Sequence, residues 1–296
     1  MELEQIKMDT FWLDEQALEV FGTPTIYYLF LIPSIAFTFI IARFFMNLGF
    51  EYVLKFYLYF LCIIYAGCIG ALISLKNGRT PQNTLLMYKV YKKVCLWTGI
   101  KYETRDLKYL DTDEPCIVIA NHQSALDVIT MGYMWPQNTV VILKKSLKYL
   151  PGFNLCGYLC HSIWIDRINK EKAHKSLDDA MDHIKNKKHK VFIFPEGTRN
   201  SNDELLPFKK GAFILAKEAN VPIIPVVFSR YKNFYNHDER RFDYGGHVII
   251  KSLKPIYPQD FSTIEELSNE CRKLMTAELD KLDKELIDKR TSSKKD

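Results

Sequence analysis

Histidine and carboxylate side chains have the clearest potential for chemistry in this sequence. An imidazole changes its protonation near neutral pH, and a carboxylate that orients it can make it a general base. The signatures Gly-x-Ser-x-Gly, P-loop and Gly-x-Gly-x-x-Gly do not occur in the chain. A histidine followed five positions later by an aspartate occurs at His122/Asp127, His161/Asp166 and His174/Asp179.

Two of these pairs cannot easily form a hydrogen bond in the elements predicted for them. His161 and Asp166 flank a predicted strand, where residues an odd number of positions apart point to opposite faces. His174 and Asp179 lie in a predicted helix, where five positions leave two side chains roughly 140° apart around the axis. The spacing alone is therefore a weak indication of a catalytic pair.

The pair His122/Asp127 is predicted to lie between a strand and a helix. An apolar run at residues 116–120 predicts the strand, and Ser124 is a typical N-cap residue for the helix. Asp127, in the first helical turn, can reach a histidine in the preceding loop. Because α/β proteins bind ligands beyond the carboxyl ends of their strands, we expect an active site here.

A second corner of this kind follows another apolar run. Residues 194–199 read Phe-Pro-Glu-Gly-Thr-Arg, in which Gly197 permits close backbone approach and Arg199 offers a planar guanidinium to a phosphate. Lys209 and Lys210 precede a predicted helix whose amino terminus favours an anion. On its own, however, a Glu-Gly-Thr-Arg segment is more typical of an ordinary turn.

From about residue 100 onwards, short apolar runs alternate with helix-like stretches. This pattern predicts an α/β fold with a mixed, largely parallel sheet flanked by helices. The predicted strands are residues 116–120, 139–143, 163–165, 191–194, 223–228 and 248–250, and the predicted helices are 124–134, 170–187, 211–219 and one beginning at 262–263 with a capping box. The apolar stripe of the last helix is Ile264, Leu267, Cys271, Leu274, Leu279 and Leu282.

Two apolar segments, residues 24–42 and 56–75, precede the α/β part. Each can extend roughly 30 Å as a helix, which is the thickness of a bilayer's hydrocarbon core. We therefore predict a membrane-embedded two-helix hairpin, with full crossing or insertion into one leaflet left open. The predicted parts are an amphipathic interfacial segment at 1–23, the hairpin at 24–80, the α/β domain at 81–290 and a charged, disordered tail at 291–296.

The charge distribution indicates which kinds of molecule the protein binds. The 40 Lys and Arg residues exceed the 35 Asp and Glu residues, and the acidic excess of the first 23 residues makes the remainder strongly basic. A basic domain beside a membrane anchor favours anionic lipids or phosphorylated substrates. The basic residues form no nucleic-acid module, so we expect no nucleic-acid partner. Those that follow the second apolar segment predict a cytosolic α/β domain.

The seven cysteines are scattered and form no Cys-x-x-Cys motif, which favours reduced thiols facing the cytosol. Cys156, Cys160 and His161 are close in sequence, but no second ligand pair follows them, so we expect no metal site. The composition excludes collagen-like, disordered and disulfide-scaffold proteins.

Four blocks in a fixed order resemble the PlsC-type glycerolipid acyltransferase family. They are residues 121–127 (Asn-His-Gln-Ser-Ala-Leu-Asp), 163–167 (Ile-Trp-Ile-Asp-Arg), 194–199 and 221–225 (Val-Pro-Ile-Ile-Pro). Residues 206–213 and 240–242 are similar to the animal 1-acylglycerol-3-phosphate acyltransferase branch. The likeness covers about residues 85–260, although the family usually has Gly where His161 stands and Phe where Trp164 stands.

The resemblance implies transfer of a fatty acyl group from acyl-CoA to the sn-2 hydroxyl of lysophosphatidic acid, which gives phosphatidic acid. Because acyl-CoA is already activated, no acyl-enzyme, metal or further cofactor is expected. His122 is then the general base, and Asp127 orients it. The enzyme is expected in the endoplasmic reticulum membrane with its domain facing the cytosol, and its oligomeric state is not predicted.

The resemblance also implies a substrate-binding set. Arg199 and Lys144 are expected to bind the acceptor's phosphate, and Gly197 and Thr198 belong to the same subsite. Glu196 is expected to accept a hydrogen bond from the acceptor's glycerol or to orient Arg199.

Three alternatives remain at this point. The acceptor could be glycerol-3-phosphate or another lysophospholipid. The chain could instead be a membrane-anchored protein that binds phosphatidic acid without catalysis, although the His122/Asp127 pair argues against this. A metal-dependent hydrolase that uses His and Asp is the third possibility, and a chelator would distinguish it.

Overall fold

A computed structural model describes residues 34–41, 43, 49–150, 152–166 and 170–292. The chain divides into two compact units, Met1–Leu54 and Lys55–Asp296. Residues 34–41 of the first unit are helical. The second unit contains the sheet and all of the predicted site residues.

A seven-stranded sheet forms the centre of the second unit. The strands of the described residues are β1 (Lys101–Arg105), β2 (Ile117–Ala120), β3 (Thr139–Lys144), β4 (Ile163–Ile165), β5 (Lys190–Ile193), β6 (Ile223–Phe228), β7 (Tyr235–Asn236), β8 (Arg241–Phe242) and β9 (His247–Ser252). The order in the sheet is β1-β9-β6-β2-β5-β3-β4, with β7 and β8 as a separate pair. Among the neighbouring strands described in the large sheet, β6 and β9 pair antiparallel, and every other pair is parallel. The predicted mixed, largely parallel sheet is confirmed.

The central strand β2 lies between β5 and β6, and its four residues are fully buried. A parallel strand that is covered on both faces is apolar throughout, which explains the uninterrupted Ile-Val-Ile-Ala run. Because β2, β3 and β5 are parallel, their carboxyl ends lie along the same edge of the sheet. This edge receives the segments that begin at Asn121, Lys145 and Phe194.

Helices cover both faces of the sheet. They are α1 (Phe50–Ser74), α2 (Asn83–Val94), α3 (Asp127–Met134), α4 (Phe153–Leu159), α5 (Lys170–Lys185), α6 (Gly211–Ala219) and α7 (Ile264–Ser292). One hydrophobic cluster joins α5, α6 and α7 to alternate strand residues such as Ile117 and Ile119. On the other face, Trp135 at the end of α3 contacts Phe192 of β5 and Tyr88 of α2.

The sequence analysis misses β1 and the β7–β8 pair. The β1 sequence Lys-Tyr-Glu-Thr-Arg has no apolar run, because this edge strand pairs only with β9 and stays partly exposed. The prediction that Ser124 caps helix α3 is wrong, because α3 begins at Asp127. The Ser124 hydroxyl instead accepts the Leu126 N–H at 3.0 Å in the turn that precedes the helix.

The predicted capping box of the last helix is confirmed. The Glu266 N–H donates to the Thr263 hydroxyl at 3.1 Å, and the Glu266 carboxylate accepts the Thr263 N–H at 3.1 Å. Leu274, however, is 39% exposed, and the neighbouring Met275 takes the buried position of the stripe. Helix α7 also continues to Ser292, so the first two residues of the predicted tail are helical.

One helix of the described residues, Phe50–Asn77, is long and apolar enough to cross a membrane, with a mean hydropathy of 2.2. Most of the first predicted apolar helix and the whole interfacial segment at 1–23 lie outside the described residues, as do residues 293–296. The two-helix hairpin and the domain boundaries therefore stay predictions.

Candidate active site

The structure brings His122 and Asp127 together. His122 Nδ1 lies 2.6 Å from Asp127 Oδ2, and the side chains are 17% and 1% exposed. The same carboxylate oxygen accepts the backbone N–H groups of Gln123 at 2.8 Å and Ser124 at 3.1 Å. Asp127 is the first residue of α3, where the helix dipole favours a negative charge. Local turn geometry therefore places an ionised carboxylate beside the imidazole.

This contact determines the chemistry available to the His122 ring. An ionised carboxylate can only accept, so Nδ1 donates its hydrogen to Asp127 and Nε2 carries the lone pair of the neutral imidazole. The ring also stacks on Phe194, with centroids 4.0 Å apart and an interplanar angle of 15°. A ring held by a hydrogen bond and a stacking contact can present Nε2 in one direction as a proton acceptor.

Two amide side chains anchor the His122 loop to the end of β6. Asn121 donates to the Phe228 carbonyl at 2.9 Å and accepts the Phe228 N–H at 2.8 Å. Gln123 donates to the Phe228 and Ser229 carbonyls at 3.1 Å each. These bonds explain why amide side chains flank the histidine in this block.

The second corner holds the backbone of His122 from the other side. The buried Glu196 carboxylate accepts the His122 N–H at 2.8 Å through Oε1. Its Oε2 accepts the Leu206 N–H at 3.0 Å and the Asn200 amide at 3.3 Å. The Asn200 N–H in turn donates to the His122 carbonyl at 2.8 Å. Both backbone polar groups of His122 are therefore bonded to the corner that follows β5.

These contacts concern Glu196, whose predicted role as a partner of the acceptor's glycerol or of Arg199 stays a prediction. Both of its oxygens are used by protein donors, and in the described part of the chain no hydrogen bond joins it to Arg199. Burial raises the pKa of the Glu196 carboxyl, and the hydrogen bonds to His122, Leu206 and Asn200 oppose that shift. The structure places Glu196 as a support for His122.

Gly197 occupies a position that few other residues can take. Its φ is +71°, in the left-handed region, and an added Cβ would lie 2.7 Å from Cε and 2.8 Å from Nζ of Lys209. The Lys209 N–H also donates to the Pro195 carbonyl at 2.8 Å. Lys209 therefore lies over the turn through both its backbone and its side chain.

Arg199 and Lys144 are the cations of the site. Both are exposed, and within the part of the chain that the structure describes neither makes an ion pair or a side-chain hydrogen bond. Thr198 lies beside Arg199 and is exposed as well. Cations that keep their donors available to solvent suit an anionic substrate group.

An apolar cavity of about 480 Å³ reaches the site from between the helices. His122, Lys144, Thr198 and Arg199 line it together with apolar side chains. The other lining residues include Ile63, Ala66, Met87, Tyr91, Val128, Met131, Leu143, Leu147, Phe153, Cys156 and Cys160. A smaller polar cavity of about 180 Å³ shares Arg199 and is lined by Gln123, Arg230 and Lys232. The arrangement can hold an apolar chain and a charged headgroup next to one base.

His161 and Asp166 contact different partners in the described structure, and the side chain of His174 lies outside the described residues. Asp166 contacts Lys145, with 3.4 Å between Oδ2 and Nζ, and His161 Nε2 lies 3.2 Å from the Arg79 carbonyl. His161 has a φ of +57°, which is the conformation that glycine adopts most readily at this block. The ring of Trp164 covers Gly157, where an added Cβ would lie 2.3 Å from Cζ2.

The residues that support the His122 loop are not evident from the sequence. Phe194 reads as a strand residue, yet β5 ends at Ile193 and the Phe194 ring stacks on His122. The His122 carbonyl that Asn200 binds, and the Phe228 and Ser229 carbonyls that Gln123 binds, lie far away in the sequence and give no local signal. Only the two amide side chains of the first block, Asn121 and Gln123, could have indicated that this block binds backbone groups.

Comparisons with known proteins show the family to which the chain belongs. The acyltransferase family model matches residues 101–229, from β1 to the end of β6. The Caenorhabditis elegans protein acl-1, named as a 1-acyl-sn-glycerol-3-phosphate acyltransferase, is 50% identical over 76% of this chain and 86% of its own length. Human 1-acyl-sn-glycerol-3-phosphate acyltransferase beta is 35% identical over 70% of this chain and 74% of its own length.

The fold has a solved counterpart. The crystal structure of the 1-acyl-sn-glycerophosphate (LPA) acyltransferase PlsC from Thermotoga maritima aligns with a TM-score of 0.62 at 22% identity, over 80% of this chain and 95% of that chain. Fold and sequence together define a glycerolipid acyltransferase. The chain belongs to the 1-acyl-sn-glycerol-3-phosphate acyltransferase family and is an acyltransferase of the lysophosphatidic acid type.

Proposed function

We propose that this protein transfers a fatty acyl group from acyl-CoA directly to the sn-2 hydroxyl of lysophosphatidic acid. The observation that carries the proposal is the His122–Asp127 pair, 2.6 Å apart, because His122 lines the apolar cavity together with Arg199. The cavity is suited to a fatty chain, and the guanidinium is suited to a phosphate. The domain boundaries proposed for this activity are residues 81–290.

His122 acts as the general base. Its Nε2 takes the proton of the acceptor's hydroxyl while the oxygen attacks the thioester carbon, and the thiolate of CoA leaves and takes that proton from the imidazolium. Asp127 keeps Nδ1 protonated and stabilises the imidazolium that forms. A thioester is reactive enough that no protein nucleophile is needed. Metal and further cofactors have no assigned role in this proposal.

Arg199 and Lys144 bind the acceptor's phosphate, with Gly197 and Thr198 forming the turn beside it. An Arg199→Ala variant should raise the KM for lysophosphatidic acid more than the KM for acyl-CoA, because the lost bonds are to the phosphate. Steady-state kinetics with each substrate varied in turn measure this. Lys210→Ala is the control, because Lys210 pairs with Glu265 at 3.2 Å. The reverse pattern of KM values would contradict the phosphate role.

We further propose that α1 holds the protein on the endoplasmic reticulum membrane with the domain in the cytosol. Within the second unit, Tyr59, Ile63 and Ala66 of α1 are buried, and the face with Leu61 and Leu72 is about 60% exposed. A helix with one docked apolar face and one exposed apolar face suits contact with lipid along its length.

The test of the proposed activity uses detergent-purified full-length protein and oleoyl-CoA. Lysophosphatidic acid, glycerol-3-phosphate and lysophosphatidylcholine are supplied in parallel, and release of the CoA thiol is recorded. We expect release with lysophosphatidic acid, unaffected by chelator, and a loss of about 10³-fold or more in His122→Ala. Asp127→Asn should lose about 10³–10⁴-fold, because an amide favours the wrong tautomer.

The other outcomes separate the alternatives. Release with another acceptor would keep the chemistry and change the substrate. Loss of activity with chelator would favour a metal-dependent enzyme. No release with any acceptor would favour a protein that binds phosphatidic acid, and substantial activity in His122→Ala would contradict the base assignment.

A further inference from the structure

Two thiols lie side by side in the wall of the apolar cavity. Cys156 is on α4, and Cys160 directly follows the end of that helix, one turn after Cys156. Their Sγ atoms are 3.9 Å apart, and both residues are at most 5% exposed. Residues four positions apart share one helix face, so the chain itself keeps the thiols adjacent.

The surroundings of this thiol pair are apolar and include a methionine sulfur. Cys156 Sγ lies 3.4 Å from Met87 Sδ on α2, and both thiols line the cavity that also contains His122. The S–H of Cys156 and the hydroxyl of Thr84 lower the pKa of the Cys160 thiol, against the opposing effect of burial. A thiol with increased thiolate character is the more reactive member of a pair.

We propose that Cys156 and Cys160 form a dithiol site that captures trivalent arsenicals, and that capture blocks the fatty acyl chain from the cavity. In the capture step, an arsenic(III) oxide group and two S–H groups give two As–S bonds and one water, with no change in oxidation state. Because both thiols are buried and line the cavity, we expect a small apolar reagent to reach them by the route that serves the acyl chain. This inference rests on the proposed function of the cavity.

A second cysteine pair supplies a matched control. Burial, together with the neighbouring Cys62 thiol, raises the pKa of the Cys95 thiol above its usual range. Neither residue lines the apolar cavity. An arsenical bound at Cys62 and Cys95 would therefore leave the cavity open, and Cys95→Ser removes this rival site.

The experiment treats the detergent-purified full chain with phenylarsine oxide. Formation of phosphatidic acid is measured by chromatography, and intact-protein and peptide mass spectrometry locate the adduct. We expect one phenylarsenic group bridging Cys156 and Cys160, loss of activity, and recovery with 2,3-dimercaptopropanol but not with a monothiol. Prior incubation with oleoyl-CoA should slow the inactivation.

Cysteine variants distinguish binding at Cys156 and Cys160 from binding at Cys62 and Cys95. In Cys156→Ser and Cys160→Ser, each compared with its own untreated activity, the half-inhibiting concentration should rise by about 10²-fold or more, because bidentate capture is lost. Cys95→Ser should be inhibited like the native chain. Equal inhibition of Cys160→Ser and the native chain, or no bridged adduct, would overturn the site. A bridged adduct without inhibition would instead overturn the proposed role of the cavity.

Discussion

At the scale of single residues, His122 is held through its backbone as well as its ring. Asp127 and Phe194 orient the imidazole, while Glu196 and Asn200 bind the backbone N–H and carbonyl. A general base must be placed within a few tenths of an ångström to act on a bound hydroxyl. The carboxylate of Glu196 therefore belongs to the placement of the base, although it does not face the apolar cavity.

Replacement of Glu196 tests this placement. In Glu196→Gln the amide group faces an N–H donor that the carboxylate accepts, which costs about 1–3 kcal/mol and lets His122 shift. We expect kcat to fall about 10-fold to 100-fold with little change in the KM for lysophosphatidic acid. Glu204→Gln, at an exposed neighbouring position, is the control. A raised KM with unchanged kcat would instead indicate direct contact with the acceptor.

At the scale of elements, the corner after β5 connects the sheet to His122 and carries Arg199, the cation proposed to bind the acceptor's phosphate. Glu196 precedes Gly197 and Arg199 follows it, and the φ of Gly197 is +71°, in the left-handed region. The corner after β2 supplies the histidine, and the two corners meet because β2 and β5 are adjacent and parallel.

Gly197→Ala should disturb this corner. A residue with a Cβ costs roughly 1–2 kcal/mol in the left-handed region, and Lys209 must move as well. We expect a comparable loss of unfolding free energy together with a strong loss of kcat. Gly245→Ala is the matched control, since Gly245 has a φ of +82° and no atom near the added Cβ. It should lose stability but keep kcat, and equal kinetic losses in both would contradict the specific role of the corner.

At the scale of the whole molecule, three histidines pack together away from the catalytic edge. His183 Nδ1 lies 2.8 Å from His189 Nδ1, and the His161 ring contacts both. Burial lowers the pKa of His183 to about 3 and that of His189 to about 4, with Lys187 and the neighbouring histidines adding to the shift. The folded protein therefore keeps these rings neutral where the unfolded chain would protonate them.

This cluster predicts loss of stability in mild acid. Between about pH 6.5, the usual histidine pKa, and pH 4 the unfolded chain binds more protons than the folded one, so the unfolding free energy decreases as the pH falls. Urea unfolding at several pH values measures the slope. His183→Gln should flatten it, whereas His237→Gln, outside the cluster, should not. An unchanged slope in His183→Gln would contradict the prediction.

Much of the fold follows from local sequence. The apolar runs identify β2 to β6 because buried parallel strands are largely apolar, and the capping box at Thr263 and Glu266 identifies the start of α7. The contact between His122 and Asp127 can also be predicted from local sequence, because one turn at the end of a strand joins the two residues.

The remaining features depend on contacts between distant parts of the chain. Glu196 reaches His122 across 74 positions, and β1 is a strand only because β9 pairs with it. The His161 ring packs against His183 of α5 and against His189, which precedes β5. No local pattern carries such information, because a carboxylate or a polar strand reads alike whether its partner is solvent or protein. By itself the sequence determined the order of the strands along the chain, the contact between His122 and Asp127, and the family. The tertiary structure decided which residues support His122 and where the apolar cavity reaches it. Packing brings these distant residues together only after the sheet has formed.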